Sequence, residues 1–169
     1  PVRKNWMYAD LIYTIEYAKA VPVFARLDER DKVILLKQTS AVCRNITAVF
    51  YSFTRKSDCN IHPDGTTPSK TKHYPGFVGV VDQYFSKMIA TCIMLGLRRE
   101  EYVLLKAILL CDQACPDLSP FAVSLLKAER DRLVAALVAF SMAQRGPTVG
   151  PETIATIMGL ADTVAHQVR

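Results

Sequence analysis

Residues 17–37, with the sequence YAKAVPVFARLDERDKVILLK, constrain the fold more than any other segment of this chain. Pro22 lacks an amide hydrogen and disfavours helical geometry in the residue before it, so it ends a helix that begins near residue 4. Asp28 is a good N-cap for a second helix, and Asp31 lies in that helix's first turn, where a carboxylate complements the helix dipole. The segment therefore predicts two helices separated by a short break.

Most of the remaining chain has a helical pattern. The second helix runs without a breaker to about Phe53 and is apolar on most faces, as expected of a buried helix. Further helices are predicted from about Phe77 to Leu95, from about Arg99 to Cys111, from Ser119-Pro120 to about Gln144, and from Gly150-Pro151 through Arg169.

Residues 55–76 are more polar than the rest. The Pro-Asp-Gly turn at residues 63–65 predicts a short hairpin that pairs residues 60–61 with residues 66–67. The whole pattern predicts an all-α fold, a three-layer antiparallel helical sandwich with one short β-hairpin, in which the second helix lies between outer helices.

The composition is typical of one packed globular domain, because half of the 169 residues are hydrophobic and 22% are charged. The net charge of +5 forms no basic stripe, so we expect no nucleic acid contact by this segment. No apolar run is long enough to span a bilayer, and we expect no membrane partner. The five cysteines, an odd number, lie in largely apolar helices, which is typical of reduced thiols.

No motif for catalysis or metal binding is present in the sequence. The chain has no Gly-rich phosphate loop, no nucleophile elbow and no second Cys or His pair at zinc-ligand spacing. We therefore predict no catalytic residue, no metal site and no enzyme. Glu100-Glu101 is interpreted as the acidic first turn of a helix.

Two lysines border an apolar strip on the first two predicted helices. Lys19 and Lys37 flank side chains that include Ile15, Val33 and Leu36. A hydrophobic groove between two cations suits a short partner helix, whose C-terminal carbonyls carry partial negative charge. The alternative is that both lysines are the solvated rim of a buried stripe.

The same segment resembles the signature of nuclear receptor ligand-binding domains. The matching residues are Tyr17-Ala18-Lys19, Phe24, Asp31-Lys32 and the run 33–37. Residues 101–108 resemble helix eight of the family, and residues 117–119 lead into a long ninth helix. Within the family, residues 10–19 and 61–65 resemble the nematode supplementary receptors, which are relatives of the hepatocyte-nuclear-factor type.

The resemblance implies that residues 1–169 are a partial ligand-binding domain, helices three to ten of the family. The first helix and the C-terminal activation helix would be missing, and the latter carries the acidic half of the coactivator clamp. The resemblance also implies a ligand-regulated transcription factor in the nucleus, whose full-length form has a DNA-binding zinc-finger domain. Two alternatives are a ligand-independent helical interaction module and a lipid-carrying helical protein with no transcriptional role.

The resemblance further implies a groove that docks a coactivator or corepressor helix. The residues that match it are Ile12, Ile15, Lys19, Phe24, Val33, Leu36 and Lys37.

An interior ligand pocket is also implied, with no cofactor but with a fatty acid or other lipid as a candidate ligand. Arg44 lies in an otherwise apolar stretch, where an unpaired guanidinium is costly to bury. Its anion could be Asp10 or a ligand carboxylate, or the side chain could reach solvent along its aliphatic stem. Tyr51 lies two turns further on the same face. The remaining lining residues would be Met7, Cys43, Thr47, Ala48 and Met94, although Met and Cys more often fill a core.

The last predicted helix carries an apolar stripe at helical spacing. This region forms the dimer surface in the family, so we expect Ile154, Ile157, Met158 and Ala161 to face a second copy or another receptor. The alternative is that the whole stripe belongs to the core.

Overall fold

The computed structural model of the protein describes residues 5–67 and 75–166, and within these ranges it contains helices and no strand. The helices are α1 (Trp6–Ala20), α2 (Pro22–Ala25), α3 (Glu29–Thr54), α4 (Pro75–Leu95), α5 (Arg99–Leu110) and α6 (Pro120–His166). The predicted all-α class is thus confirmed. The predicted start of the first helix, near residue 4, and the predicted end of the last helix, at residue 169, lie outside the described ranges.

The break at Pro22 and the N-caps at Asp28 and Ser119, which the sequence predicted, are confirmed. Val21 has extended geometry, with φ −85° and ψ 118°, and Pro22 is the first residue of α2. The Asp28 carboxylate accepts a hydrogen bond from the Asp31 amide at 2.8 Å. Ser119 caps α6 in the same way, because its hydroxyl oxygen accepts from the Ala122 amide at 3.1 Å. Local side-chain chemistry therefore sets these helix starts.

The predicted β-hairpin does not form in the described part of residues 55–76. Instead the His62 amide donates to the Thr66 carbonyl at 2.8 Å, which closes a tight turn. The Asp64 carboxylate accepts from both the amide and the hydroxyl of Thr66, at 3.0 and 2.7 Å. The turn does not continue into paired strands, because the Ile61 amide, which the hairpin would have used, donates to the Ser52 hydroxyl of α3 at 3.1 Å.

The last two predicted helices are joined in α6, and the second begins earlier than expected. Inside α6, Gly146 departs from helical geometry, with φ 78° and ψ 176°. Helical geometry resumes at Pro147, where a missing amide hydrogen is tolerated, and not at Gly150-Pro151. Gly150 is instead a packing position, since an added Cβ would lie 2.8 Å from the Met142 sulfur and 3.2 Å from its Cα.

The chain divides into two compact units, with the division inside α3. Unit 1 comprises residues 1–44 and 99–169, and unit 2 comprises residues 45–98. In unit 1, α5 and α2 both pack against α6, and α1 packs against α2. Its fully buried side chains include Leu35, Leu105, Ile108, Leu126, Leu137 and Ile157, and those of unit 2 include Ile46, Met88 and Ile89. The three-layer arrangement stays a prediction.

A buried ion pair connects α5 to the bend of α6 within unit 1. Glu101 has no exposed surface, and its two carboxylate oxygens accept from the Arg145 guanidinium at 2.9 and 2.6 Å. The Ser141 hydroxyl donates to the same carboxylate at 3.1 Å. The hydrogen bonds to Glu101 raise the pKa of Arg145 above its ordinary value. The prediction that Glu100-Glu101 form the acidic first turn of a helix is confirmed, and the burial of Glu101 against Arg145 adds a partner that the sequence did not indicate.

A second carboxylate connects α3 to the start of α6. Asp31 is 1% exposed and accepts from the amide and the hydroxyl of Ser119, at 2.9 and 2.5 Å. The hydrogen bond from the Ser119 hydroxyl lowers the pKa of Asp31 below its ordinary value, and the hydrogen bond from the Ser119 amide is the second cause. Ser119 thus caps α6 while it binds a carboxylate 88 residues earlier in the chain.

None of the described helices is long and apolar enough to cross a bilayer. In residues 5–67 and 75–166, no group of three or more His, Cys, Asp or Glu side chains could hold a metal ion.

Candidate partner-docking site

Helix α1 keeps two isoleucines of the predicted groove at the surface. Ile12 is 40% exposed and Ile15 is 36% exposed. Together with Lys19 they are three and four residues apart, so they lie on one face of the helix. Thr14 and Ala18 are the fully buried residues of α1. The apolar residues on this face of α1 are therefore only partly covered by the described chain.

Helix α3 contributes the other predicted members of the site. Val33 is 49% exposed, Lys37 is exposed and Leu36 is half-buried. Val33 and Lys37 are four residues apart and share a face of α3. We call the predicted docking surface, made of the exposed apolar side chains of Ile12, Ile15 and Val33 with Lys19 and Lys37, the α1–α3 strip.

Phe24 does not belong to this strip. The side chain lies in α2 and is only 5% exposed, because it is part of the core of unit 1. The Lys32 ammonium lies 6.0 Å from the centroid of its ring. The prediction that Phe24 belongs to the floor of the groove stays a prediction, and at 5% exposure its ring offers little surface to a partner.

The lysine on α1 is accompanied by a carboxylate that the sequence prediction did not include. Lys19 lies in the last turn of α1, and its ammonium is 2.7 Å from Glu16 Oε1. Both side chains are about three-fifths exposed, at 59% and 61%. The spacing of three residues on a helix was a signal for this pair. The strip thus carries an acid beside one of its two cations.

The eight predicted ligand-pocket residues differ in burial and are divided between the two units. Cys43 is fully buried, and burial raises the pKa of its thiol to about 12. Met7 and Met94 are 57% and 74% exposed, so neither side chain is enclosed. The residues that are half-buried are Asp10, Arg44, Thr47, Ala48 and Tyr51. The pocket, and the choice between Asp10 and a ligand as the anion for Arg44, stay predictions.

A cavity of about 160 Å³ lies elsewhere within unit 1, beside the middle of α3, the C-terminal end of α5 and two parts of α6. Its lining includes Val42, Leu109, Arg130 and Ala161, and it includes none of the eight predicted pocket residues. Arg130 is held there by a hydrogen bond from its guanidinium to the Ile108 carbonyl at 2.8 Å.

Half of the predicted dimer surface is core. Ile157 and Ala161 are 0% and 3% exposed, which corrects the prediction that they face a partner. The physical reason is that the part of α6 after Gly146 belongs to the packed interior of unit 1. Ile154 and Met158 are half-buried.

Sequence analysis also missed a contact between α1 and α5. The Lys106 ammonium lies 4.2 Å from the centroid of the Tyr17 ring. Burial lowers the pKa of Lys106 and raises that of Tyr17. This cation–π contact lies on the side of α1 opposite to Ile12 and Ile15.

Comparison with known proteins agrees with the signature in residues 17–37. The sequence model for the ligand-binding domain of nuclear hormone receptors matches residues 4–166. Nuclear hormone receptor family member nhr-60 of Caenorhabditis elegans is 33% identical over 168 residues, which cover 98% of this chain and 36% of the relative. Family member nhr-154 of the same nematode is 28% identical over 167 residues, 96% of this chain and 36% of the relative.

A third Caenorhabditis elegans relative, family member nhr-153, is 29% identical over 168 residues, 97% of this chain and 40% of the relative. The chain thus spans little more than a third of the length of these relatives. Their origin agrees with the resemblance to the nematode supplementary receptors. The chain belongs to the family of nuclear hormone receptor ligand-binding domains.

Proposed function

We propose that this chain is the ligand-binding and coactivator-docking domain of a ligand-regulated transcription factor that acts in the nucleus. Its family supports the general role. One observation carries the docking role: Ile12, Ile15 and Val33 are 36–49% exposed in the same unit as the exposed Lys19 and Lys37. Apolar side chains with cations at the edge are what an amphipathic helix needs for docking.

The docked partner would be a helix with a Leu-x-x-Leu-Leu motif. Its leucines would cover the α1–α3 strip, and full burial of each is worth about 1.5–3 kcal/mol. Lys19 would meet the C-terminal carbonyls of the partner helix, a contact worth about 0.3–1 kcal/mol at an exposed site. The leucines would therefore supply most of the affinity, and the lysines would fix the direction of the helix.

Regulation by a ligand would act through a population shift. A lipid in the interior would stabilise the docked position of a C-terminal activation helix, which would complete the groove. An acidic lipid would need a cation, for which Arg44 is our candidate. Native mass spectrometry of the purified protein tests this part, because a co-purifying lipid supports it. Loss of that lipid in Arg44→Met, with the fold intact, would identify the anchor.

A ligand-independent interaction module is the second candidate. The exposure of Met7 and Met94, two residues predicted to line the pocket, favours it. Under this alternative, peptide binding persists without any co-purifying lipid and without response to added fatty acids.

A peptide titration tests the docking role. A fluorescent Leu-x-x-Leu-Leu peptide should bind weakly, and Lys19→Ala and Lys37→Ala should each weaken binding by about two- to five-fold. Lys127→Ala is the matched control, because Lys127 is also exposed and lies 2.9 Å from a surface carboxylate, that of Asp131. Equal losses in all three variants would contradict a specific groove.

A further inference from the structure

Glu16 gives the α1–α3 strip a negative charge beside Lys19, one of its two cations. It lies four residues after Ile12 and three before Lys19, so it shares their side of α1. Its carboxylate is 2.7 Å from the Lys19 ammonium, and 61% of its side chain is exposed. The two groups therefore form one site of paired charges in contact with solvent.

We propose, on the basis of the docking function above, that Glu16 selects partner helices that carry a lysine or arginine directly after the last leucine of their motif. Lys19 would bind the last carbonyls of the docked helix, which brings the following residues of the partner close to Glu16. A basic residue there meets the Glu16 carboxylate. An acidic residue there is repelled by the Glu16 carboxylate, and the nearest cation, Lys19, already pairs with Glu16.

The carboxylate of Glu16 also makes the two lysines of the strip differ in the positive charge that they offer to a partner. The charge of Lys19 is partly neutralised by its neighbour at 2.7 Å. Lys37 lies on the other helix, in α3, and is exposed. The partner is thus recognised by opposite charges at the α1 end, which favours an amphipathic helix with an apolar face and a basic C-terminal flank over one with an acidic flank.

The expected selectivity is modest because both side chains are exposed. Exposed ion pairs change affinity by about two- to five-fold and are screened by salt. The preference should therefore decrease as the salt concentration rises, while the affinity from the buried leucines remains.

Two peptides that differ only in the flank test this proposal. Both contain Leu-x-x-Leu-Leu, followed by Lys-Lys in one and by Glu-Glu in the other, and both are titrated into the wild-type protein, Glu16→Gln and Asp131→Asn. Asp131 is the matched control, since its carboxylate pairs with Lys127 at 2.9 Å and 65% of its side chain is exposed. The wild type and Asp131→Asn should prefer the basic flank, and Glu16→Gln should reduce this preference by about two- to five-fold.

The possible results separate this proposal from the docking function on which it rests. If both peptides bind and Glu16→Gln leaves the preference unchanged, or Asp131→Asn changes it equally, the role of Glu16 is overturned and docking stands. If neither peptide binds to the wild type, docking on the strip is wrong and the selectivity falls with it.

Discussion

Helices α5 and α1 lie in the same unit and use their apolar residues in opposite ways. In α5, six of twelve residues are buried, and they include Glu101, whose charge is matched by Arg145. In α1, two of fifteen residues are buried, while Ile12, Ile15 and two tyrosines are exposed. Helix α5 is thus fixed by its contacts within the chain, whereas part of the apolar surface of α1 stays exposed, as the docking proposal requires.

The difference in burial between α5 and α1 does not come from their composition alone. Both helices contain runs of apolar residues, but α5 packs against α6 and α1 packs against the short α2. An apolar side chain that remains at the surface loses the stabilisation that burial would give, so it can contribute that free energy to binding.

The largest expected effect is on the buried ion pair of α5. Arg145→Met should lower the free energy of unfolding by about 3–5 kcal/mol, because it leaves the Glu101 carboxylate buried without its cation. Urea unfolding measures this change. Lys127→Met, which removes an exposed pair with Asp131, should change stability by no more than about 1 kcal/mol. If both variants lose a similarly small amount of unfolding free energy, the buried ion pair does not hold α5 in place.

A smaller effect is expected at the bend of α6, which packs against α5. Gly150→Ala should destabilise by about 1–3 kcal/mol, because its Cβ would overlap Met142. Gly159→Ala on the same helix has open space around it and should stabilise by up to about 1 kcal/mol. Thermal unfolding of the two variants checks the sign of each change, and equal signs would contradict tight packing at Gly150.

A pH-dependent effect is expected from Asp31, the carboxylate that joins α3 to α6. Hydrogen bonds from Ser119 lower its pKa below the ordinary value of 3.8, so its contribution to stability is present above that pH and is lost as the pH falls through the folded-state pKa. Asp31→Asn should have a lower free energy of unfolding than the wild type at pH 6, and this difference should become smaller below pH ~4. Urea unfolding of both proteins at several pH values measures this difference, and a difference that does not change with pH would contradict the role of Asp31.

Local signals in the sequence predicted most helix boundaries. The break at Pro22 and the caps at Asp28 and Ser119 depend on residues within a few positions, so the sequence alone was enough. The hairpin prediction failed because the Ile61 amide donates to the Ser52 hydroxyl, nine residues earlier, and not to a paired strand. The start of the last helix was misplaced because both Pro147 and Pro151 can occupy a first turn.

Contacts between distant residues could not be predicted from local patterns. Glu101 binds Arg145, 44 residues later, and sequence analysis interpreted it as a first-turn acid. A signal was present, since Glu101 is four residues before Leu105 and seven before Ile108, both fully buried, on one helical face. In the candidate site, Lys19, Lys37, Ile12, Ile15 and Val33 are exposed as docking requires, whereas Phe24 is buried. The resemblance predicted which residues form the strip, but it could not predict how far each side chain is buried.

The most direct test of the comparison uses one valine from each region. Val33 in the α1–α3 strip is 49% exposed and Val103 in α5 is 47% exposed, so they match in residue type, helical setting and exposure. Binding of a Leu-x-x-Leu-Leu peptide is measured by fluorescence anisotropy for Val33→Ser and Val103→Ser. Our account predicts about five-fold or greater weakening for Val33→Ser, from the loss of roughly 1 kcal/mol or more of buried apolar contact, and no change for Val103→Ser. Equal affinities of the two variants would contradict the claim that the strip is the docking surface.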